Sequence, residues 1–128
     1  MKRLLLDTHV LLWWLADSPK LGRIARTTIA AGENVVYVSA VSVWEIAIKK
    51  SLGKLRAPDD FDQILQAEGF EELPVSVHHA EHAGGLPNHH RDPFDRMLVA
   101  QAQAEGLLLF SQDPMIAAYG VRTASPLI

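Results

Sequence analysis

Short apolar runs alternate along this chain with longer stretches in which apolar residues recur every three or four positions. Arg3 to Leu6 is an apolar run that reads as a first strand, and after Asp7 the residues Leu11, Leu12 and Leu15 fall at helical spacing. Ser18-Pro19 predicts the start of a second helix, with Ser18 as cap and Pro19 in the first helical position, ending near Gly32. Val35 to Val38 is β-branched and aromatic, hence a second strand. Ser39 is expected to cap a third helix that ends near Gly53, and a fourth runs from about Asp60 to Glu68, where Gly69 stops it. Leu73 to Val75 reads as a short strand, Val77 to Ala83 as a helix halted by Gly84-Gly85, and Leu86 to Arg91 as a loop. Asp92-Pro93 opens the clearest helix, which runs to Glu105 with Gly106 as its stop. Leu107 to Phe110 is an apolar strand, Asp113-Pro114 begins a short helix ending at Gly120, and Val121 to Thr123 reads as an edge strand. Strands alternating with helices imply an α/β fold with a mainly parallel sheet.

Composition narrows the class. A chain of 128 residues fits one domain spanning 1–128, and its 48% hydrophobic and 21% charged content is that of a globular protein rather than a disordered one. The absence of cysteine removes disulfides, thiolate metal sites and a cysteine nucleophile together, and fits a reducing compartment. Met1-Lys2-Arg3 followed by three leucines is too short to be a secretion signal, and no stretch reaches the length of a membrane span. A soluble, cytoplasmic protein that does not engage membranes is expected. The net charge of −3 speaks against a general nucleic-acid coat, but not against a nuclease whose acidic pocket is neutralised by metal. The basic cluster Lys49, Lys50, Lys54 and Arg56 and the acidic run Asp59, Asp60 and Asp62 read as solvated helix ends.

Four carboxylates are distinguished by position. Asp7 directly follows the first strand, and Asp113 follows the strand Leu107 to Phe110 by three residues, so both belong to the carboxyl edge where open parallel sheets bind ligands. Glu45 shares a helical face with Val41, Trp44, Ile48 and Leu52, and Asp95 has Leu98, Val99 and Ala102 as helical neighbours. A carboxylate in an apolar stripe costs several kcal/mol (roughly) unless it is partnered, and a bound cation removes that cost. Each also has a plain structural explanation. Asp7, Asp92 and Asp113 suit helix caps, Asp95 suits the first turn of its helix, and Glu45 can pair with Lys49 on an exposed face. For Asp95, Arg91 and Arg96 are alternative partners. Oxygen-only ligands without cysteine favour a hard cation, Mg²⁺ or Mn²⁺.

The same stretches resemble a known family. Leu4-Leu5-Leu6-Asp7-Thr8-His9 is similar to the first motif of VapC-like PIN domains, and Val38 to Lys49, with Trp44-Glu45-Ile46, to the second. His90-Arg91-Asp92-Pro93-Phe94-Asp95-Arg96, continuing to Ala102, is similar to the third motif, and Leu109-Phe110-Ser111-Gln112-Asp113 to the fourth, with Ser111 where the family usually has Thr. The motifs stand in the family's order across nearly the whole chain. The resemblance implies a three-layer α/β/α PIN-like fold with a mainly parallel central sheet, and a divalent-metal endoribonuclease that hydrolyses RNA to 5′-phosphate and 3′-hydroxyl ends. It carries over Asp7, Glu45, Asp95 and Asp113 as catalytic and metal-binding residues. It also implies a cognate VapB-like antitoxin and a toxin homodimer. Thr8, Ser111 and Asp92 are candidates for supporting hydrogen bonds, and Arg96 either contacts phosphate or balances the acidic residues.

Other patterns are weaker. His78 and His82 have a spacing that can bind zinc, but His78-His79-Ala80-Glu81-His82 is not the H-E-x-x-H pattern. His89-His90 lies in a loop near the third motif and is expected to face RNA, a partner or solvent. There is no Gly-x-Ser-x-Gly elbow and no Walker-type glycine loop. The adjacent Trp13 and Trp14 suggest one ring on the core and one at the surface, or a partner interface formed with the antitoxin or a second subunit. The competing class is an acidic-pocket Mg²⁺-binding regulatory or scaffold module without nuclease activity. A receiver-like domain would have paired acids after its first strand, and a haloacid-dehalogenase-type phosphatase would have Asp-x-Asp; this chain has Asp7-Thr8-His9.

Overall fold

The computed structural model describes residues 1–128. Five parallel strands, β1 (Arg3–Leu6), β2 (Val35–Ser39), β3 (Glu71–Leu73), β4 (Leu108–Phe110) and β5 (Thr123–Ala124), lie in the order β3-β2-β1-β4-β5. The central strand is thus β1, whose Leu4, Leu5 and Leu6 are all fully buried. Their alternation sends side chains to opposite faces of the sheet. Leu4 and Leu6 join one core with Val10, Leu11, Ala25, Ile29 and Leu65, whereas Leu5 joins a second with Leu98, Val99, Ala102 and Ile116.

Seven helices supply the outer layers. The helices α1 (Thr8–Leu15), α2 (Arg23–Ala30) and α4 (Phe61–Glu68) pack on the first face. On the second lie α6 (Pro93–Glu105) and α7 (Pro114–Ala117), with α5 (Val77–Gly84) packed against α6. Between them runs α3 (Ala40–Ser51), which gives Ile46 to one core and Val41 to the other. The three layers follow from this division. No helix is long and apolar enough to cross a membrane.

Local signals explain the sharpest boundaries. Asp92 accepts hydrogen bonds from the Phe94 and Asp95 amides, Pro93 occupies the first position of α6, and Gly106 closes it in the left-handed conformation that glycine adopts without strain. Ser39 caps α3 through the Val41 amide, and Gly69 closes α4 at φ 73°.

Several expected boundaries move: the edge strand lies at Thr123–Ala124 rather than Val121 to Thr123, and the last helix ends at Ala117 rather than Gly120. The second helix does not begin at Ser18-Pro19: α2 starts after Gly22, and Ser18 Oγ instead accepts from Lys20 N in a turn. The donors at the start of α2 are satisfied from far away, because Gly22 N donates to Pro126 O and Ile24 N to Ile128 O, both at 2.8 Å. The strand expected at Leu73 to Val75 lies earlier, at Glu71–Leu73, where its register on Tyr37, Val38 and Ser39 of β2 fixes it as an edge.

Candidate metal centre

Every strand that leads into the candidate site does so at its carboxyl end. Asp7 leaves β1 with its amide bonded to Phe110 O at 3.1 Å, and its Oδ1 caps α1 through the Val10 amide at 2.9 Å. Its second oxygen is left for other partners. From β2 the chain enters α3, whose inner face buries Val41, Ser42, Glu45 and Ile46. From β4 it passes Ser111 to Asp113, whose Oδ1 caps α7 at Met115 N while its amide donates to Ser111 Oγ at 3.1 Å. Asp95 comes from the first turn of α6.

Glu45 is only 6% exposed and is held at both oxygens. Thr8 Oγ1 donates to Oε1 at 2.7 Å, and Lys49 Nζ donates to Oε2 at 2.7 Å. The Ser42 hydroxyl lies 3.1 Å from the same Thr8 oxygen. Hydrogen bonding to Glu45 raises the Lys49 pKa against the opposing effect of burial, and Asp92 and Asp95 add to the rise. Lys49 is therefore a fixed cation at the rim.

The carboxylates feel one another. Burial pushes the Asp95 pKa up to about 7, and the charges of Asp92, Glu45 and Asp7 push the same way while His90 opposes them. Burial also raises Asp7, with the Val10 amide, Ser111 and His9 acting against it and Glu45 adding to it. Asp95 and Asp113 converge on one ring: His90 Nε2 lies 3.1 Å from Asp95 Oδ2 and 2.8 Å from Asp113 Oδ2. Ligand atoms of these three residues all lie within 4.8 Å of one another. Burial and crowding of anions both favour a hard divalent cation here, since the donors are carboxylate oxygens and the charge they share is only partly offset.

A PIN-domain family profile matches residues 4–121. The chain belongs to the PIN-domain family. Ribonuclease VapC22 of Mycobacterium tuberculosis is 29% identical to this PIN domain over 116 residues, covering 88% of each chain. Among solved structures, VapBC2 from Rickettsia felis bound to a promoter DNA fragment superposes with a TM-score of 0.67 at 13% identity, covering 96% of this chain and 98% of the other. FitAcB from Neisseria gonorrhoeae superposes with a TM-score of 0.65 at 20% identity, covering 96% and 97%. At these identities the superpositions speak for the fold.

Not every expected residue of this PIN domain takes the expected place. Arg96 makes no ion pair with the acids. Its guanidinium donates instead to the carbonyls of Ala83, Leu86, Pro87 and His90 and to Tyr119 Oη. Nor do Arg91 and Arg96 partner Asp95; His90 does. The Glu45 face is also different from the one expected, because Trp44 and Leu52 are exposed, at 62% and 61%. Glu45 is buried by Thr8 and Lys49 rather than by an apolar stripe. Its pairing with Lys49 forms, but not on an exposed face.

His78 and His82 stack at 6.2 Å, and His82 Nε2 meets Gln103 Oε1 at 2.8 Å, with no third ligand beside them. His89 packs edge-on against Tyr119. Its neighbour His90, which the sequence left facing RNA, a partner or solvent, sits inside the acidic group. Trp14 donates to Glu68 Oε2 and packs on Phe70, while Trp13 lines a cavity of about 530 Å³ with His9, Leu12 and Leu55. Both indoles are half-buried, so neither is a purely core ring.

Proposed function

We propose that this PIN domain is a divalent-metal-dependent endoribonuclease of the VapC kind, restrained by a cognate VapB-like antitoxin. The observation that carries the proposal is the convergence of Asp95 and Asp113 on His90, with the Asp95 pKa pushed up to about 7 by burial and by the charges of Asp92, Glu45 and Asp7. Asp7, Glu45, Asp95 and Asp113 would hold Mg²⁺, with Mn²⁺ as a substitute. When bound, such a cation polarises a phosphoryl oxygen and brings water's pKa toward neutrality.

The chain's own groups prepare that chemistry. Thr8 and Lys49 fix both oxygens of Glu45, so its orientation is set before RNA arrives. Asp7 and Asp113 each spend one oxygen on a helix cap, which holds the carboxylate, while the second oxygen of Asp113 faces His90 Nε2. Asp92 anchors the first turn of α6 and so places Asp95. The substrate is RNA and the products carry 5′-phosphate and 3′-hydroxyl ends. The VapC22 name supports RNA as substrate, and the toxin–antitoxin complexes among the structural neighbours support the antitoxin. We assign a homodimer as the toxin's own assembly.

The test uses purified Asp7→Asn and Asp95→Asn proteins, single-stranded RNA and Mg²⁺, with sequencing of the product ends. The variants are expected to stay folded, bind Mg²⁺ weakly and lose cleavage. Full cleavage by both would overturn the assignment of these carboxylates, and no cleavage by the wild type would leave an acidic-pocket binding module.

A further inference from the structure

Along α1, His9, Leu12 and Trp13 recur at the three- and four-residue spacing that places them on one face. That face forms one wall of the cavity of about 530 Å³, and Leu55 and Arg56, from the segment between α3 and α4, form another. The volume falls in the range of small-ligand sites, roughly 300–1,000 Å³. The cavity begins at the end of α1 that Asp7 caps, with His9 in the first turn, so it adjoins the proposed metal centre.

The lining is apolar and cationic, and no carboxylate contributes to it. Trp13 is half-buried, and the His9 ring lies 6.4 Å from it, tilted by 37°. Lys20 and Arg56 are exposed at the rim and make no ion pair, because Asp17 is taken by Arg26 and Asp59 by Lys50. The turn that presents Lys20 is fixed, since Ser18 N donates to Trp13 O at 2.9 Å and Lys20 N to Ser18 Oγ at 3.2 Å. In a chain with a net charge of −3, this is a local excess of positive charge around a flat aromatic wall. An unpaired nucleotide matches both features, with a base that stacks on an aromatic ring and a phosphate that attracts cations.

We propose that this cavity is a subsite for one unpaired base of single-stranded RNA: the base stacks on Trp13, and Lys20 and Arg56 hold the phosphates beside it. This rests on the ribonuclease proposed above. Bases inside a duplex cannot be splayed into such a cavity, so the subsite restricts the substrate to unpaired stretches.

Fluorescence anisotropy in EDTA, which keeps binding separate from cleavage, compares a short RNA of mixed sequence with an abasic ribose–phosphate chain of the same length. Trp13→Leu, which keeps an apolar side chain against the core, should weaken RNA binding about tenfold and leave the abasic chain unchanged. Arg56→Ala should weaken both and flatten the dependence of log affinity on log salt by about 0.7. Equal RNA binding by wild type and a folded Trp13→Leu would overturn the subsite and leave the nuclease standing. Equal losses on RNA and on the abasic chain would give Trp13 a structural role and overturn the stacking. An unchanged salt dependence in Arg56→Ala would overturn the subsite whatever the fate of Trp13→Leu. Unchanged RNA affinity in Trp13→Leu with loss of a coexpressed antitoxin would make the cavity a protein-docking groove and overturn the proposal. Failure of the wild type to bind RNA both in EDTA and in Mg²⁺ would overturn the subsite together with the RNA substrate.

Discussion

Thr8 Oγ1 donates to Glu45 Oε1 across 2.7 Å, joining the helix that follows the first strand to the helix that follows the second. Both residues are buried, so the bond is made where water cannot replace it. Thr8→Val keeps the shape and removes the donor. It is expected to cost about 1–3 kcal/mol in urea unfolding and to lower RNA cleavage by roughly 10–100-fold. Thr8→Ser should restore most of both, which distinguishes the hydroxyl from the packing of the methyl group.

Asp95 makes stability depend on pH in an unusual direction. Burial first, then the charges of Asp92, Glu45 and Asp7, raise its folded pKa from 3.8 to about 7. Between those values the folded protein holds a proton that the unfolded chain has released, so stability falls as pH rises. Calorimetry of EDTA-treated protein should show the contribution of Asp95 to Tm dropping between about pH 4 and about pH 7. Asp95→Asn should flatten that slope, and saturating Mg²⁺ should reverse the loss at the upper end. A Tm that climbs over this window would contradict the assignment.

Arg96 is the keystone of the loop between α5 and α6. Its NH2 donates to Ala83 O and Leu86 O, both at 2.9 Å, and its NH1 to Pro87 O at 3.0 Å. A lysine cannot reproduce a planar fork that reaches several carbonyls at once. Arg96→Lys is therefore expected to lose about 1 kcal/mol, because the part-buried carbonyls of Ala83 and Leu86 lose a donor. Hydrogen exchange should quicken in residues 84–91 while α6 keeps its protection.

Gly22 is required by a close approach and not by its backbone angle. A Cβ added there would lie 2.2 Å from the Ile128 carbonyl carbon, a backbone atom that cannot rotate aside. Gly22→Ala should push the last residues off the start of α2 and cost about 1–3 kcal/mol. Limited proteolysis would then nick the C-terminal segment, with nuclease activity retained.

Much of the fold was legible because its signals are local. The Asp92-Pro93 start and Gly106 stop of α6 lie within a few residues of the boundaries they set. The start of α2 was not legible, since its amides are satisfied by Pro126 and Ile128, far along the chain. The short β3 was displaced because Glu71 and Glu72 lack the apolar pattern of a strand and are held by register on β2. At the site, the positions of Asp7 and Asp113 after strands were readable from order alone. The inward turn of His90 was not, because it depends on Tyr119 and Asp113 from the other end of the chain. Arg96 was misread for the same reason: a charge beside acids suggests an ion pair, and only the folded loop reveals five oxygens waiting for it.

The sheet order β3-β2-β1-β4-β5 places β1 beside β4, which follows it far along the chain. Asp7 therefore lacks the partner for its amide until Leu108–Phe110 slots in beside β1 and Phe110 O accepts it. A growing polypeptide holds only scattered acids until that late insertion. With the proposed activity, the order in which the pieces emerge delays the nuclease until β4 has been made, ahead of any restraint by the antitoxin.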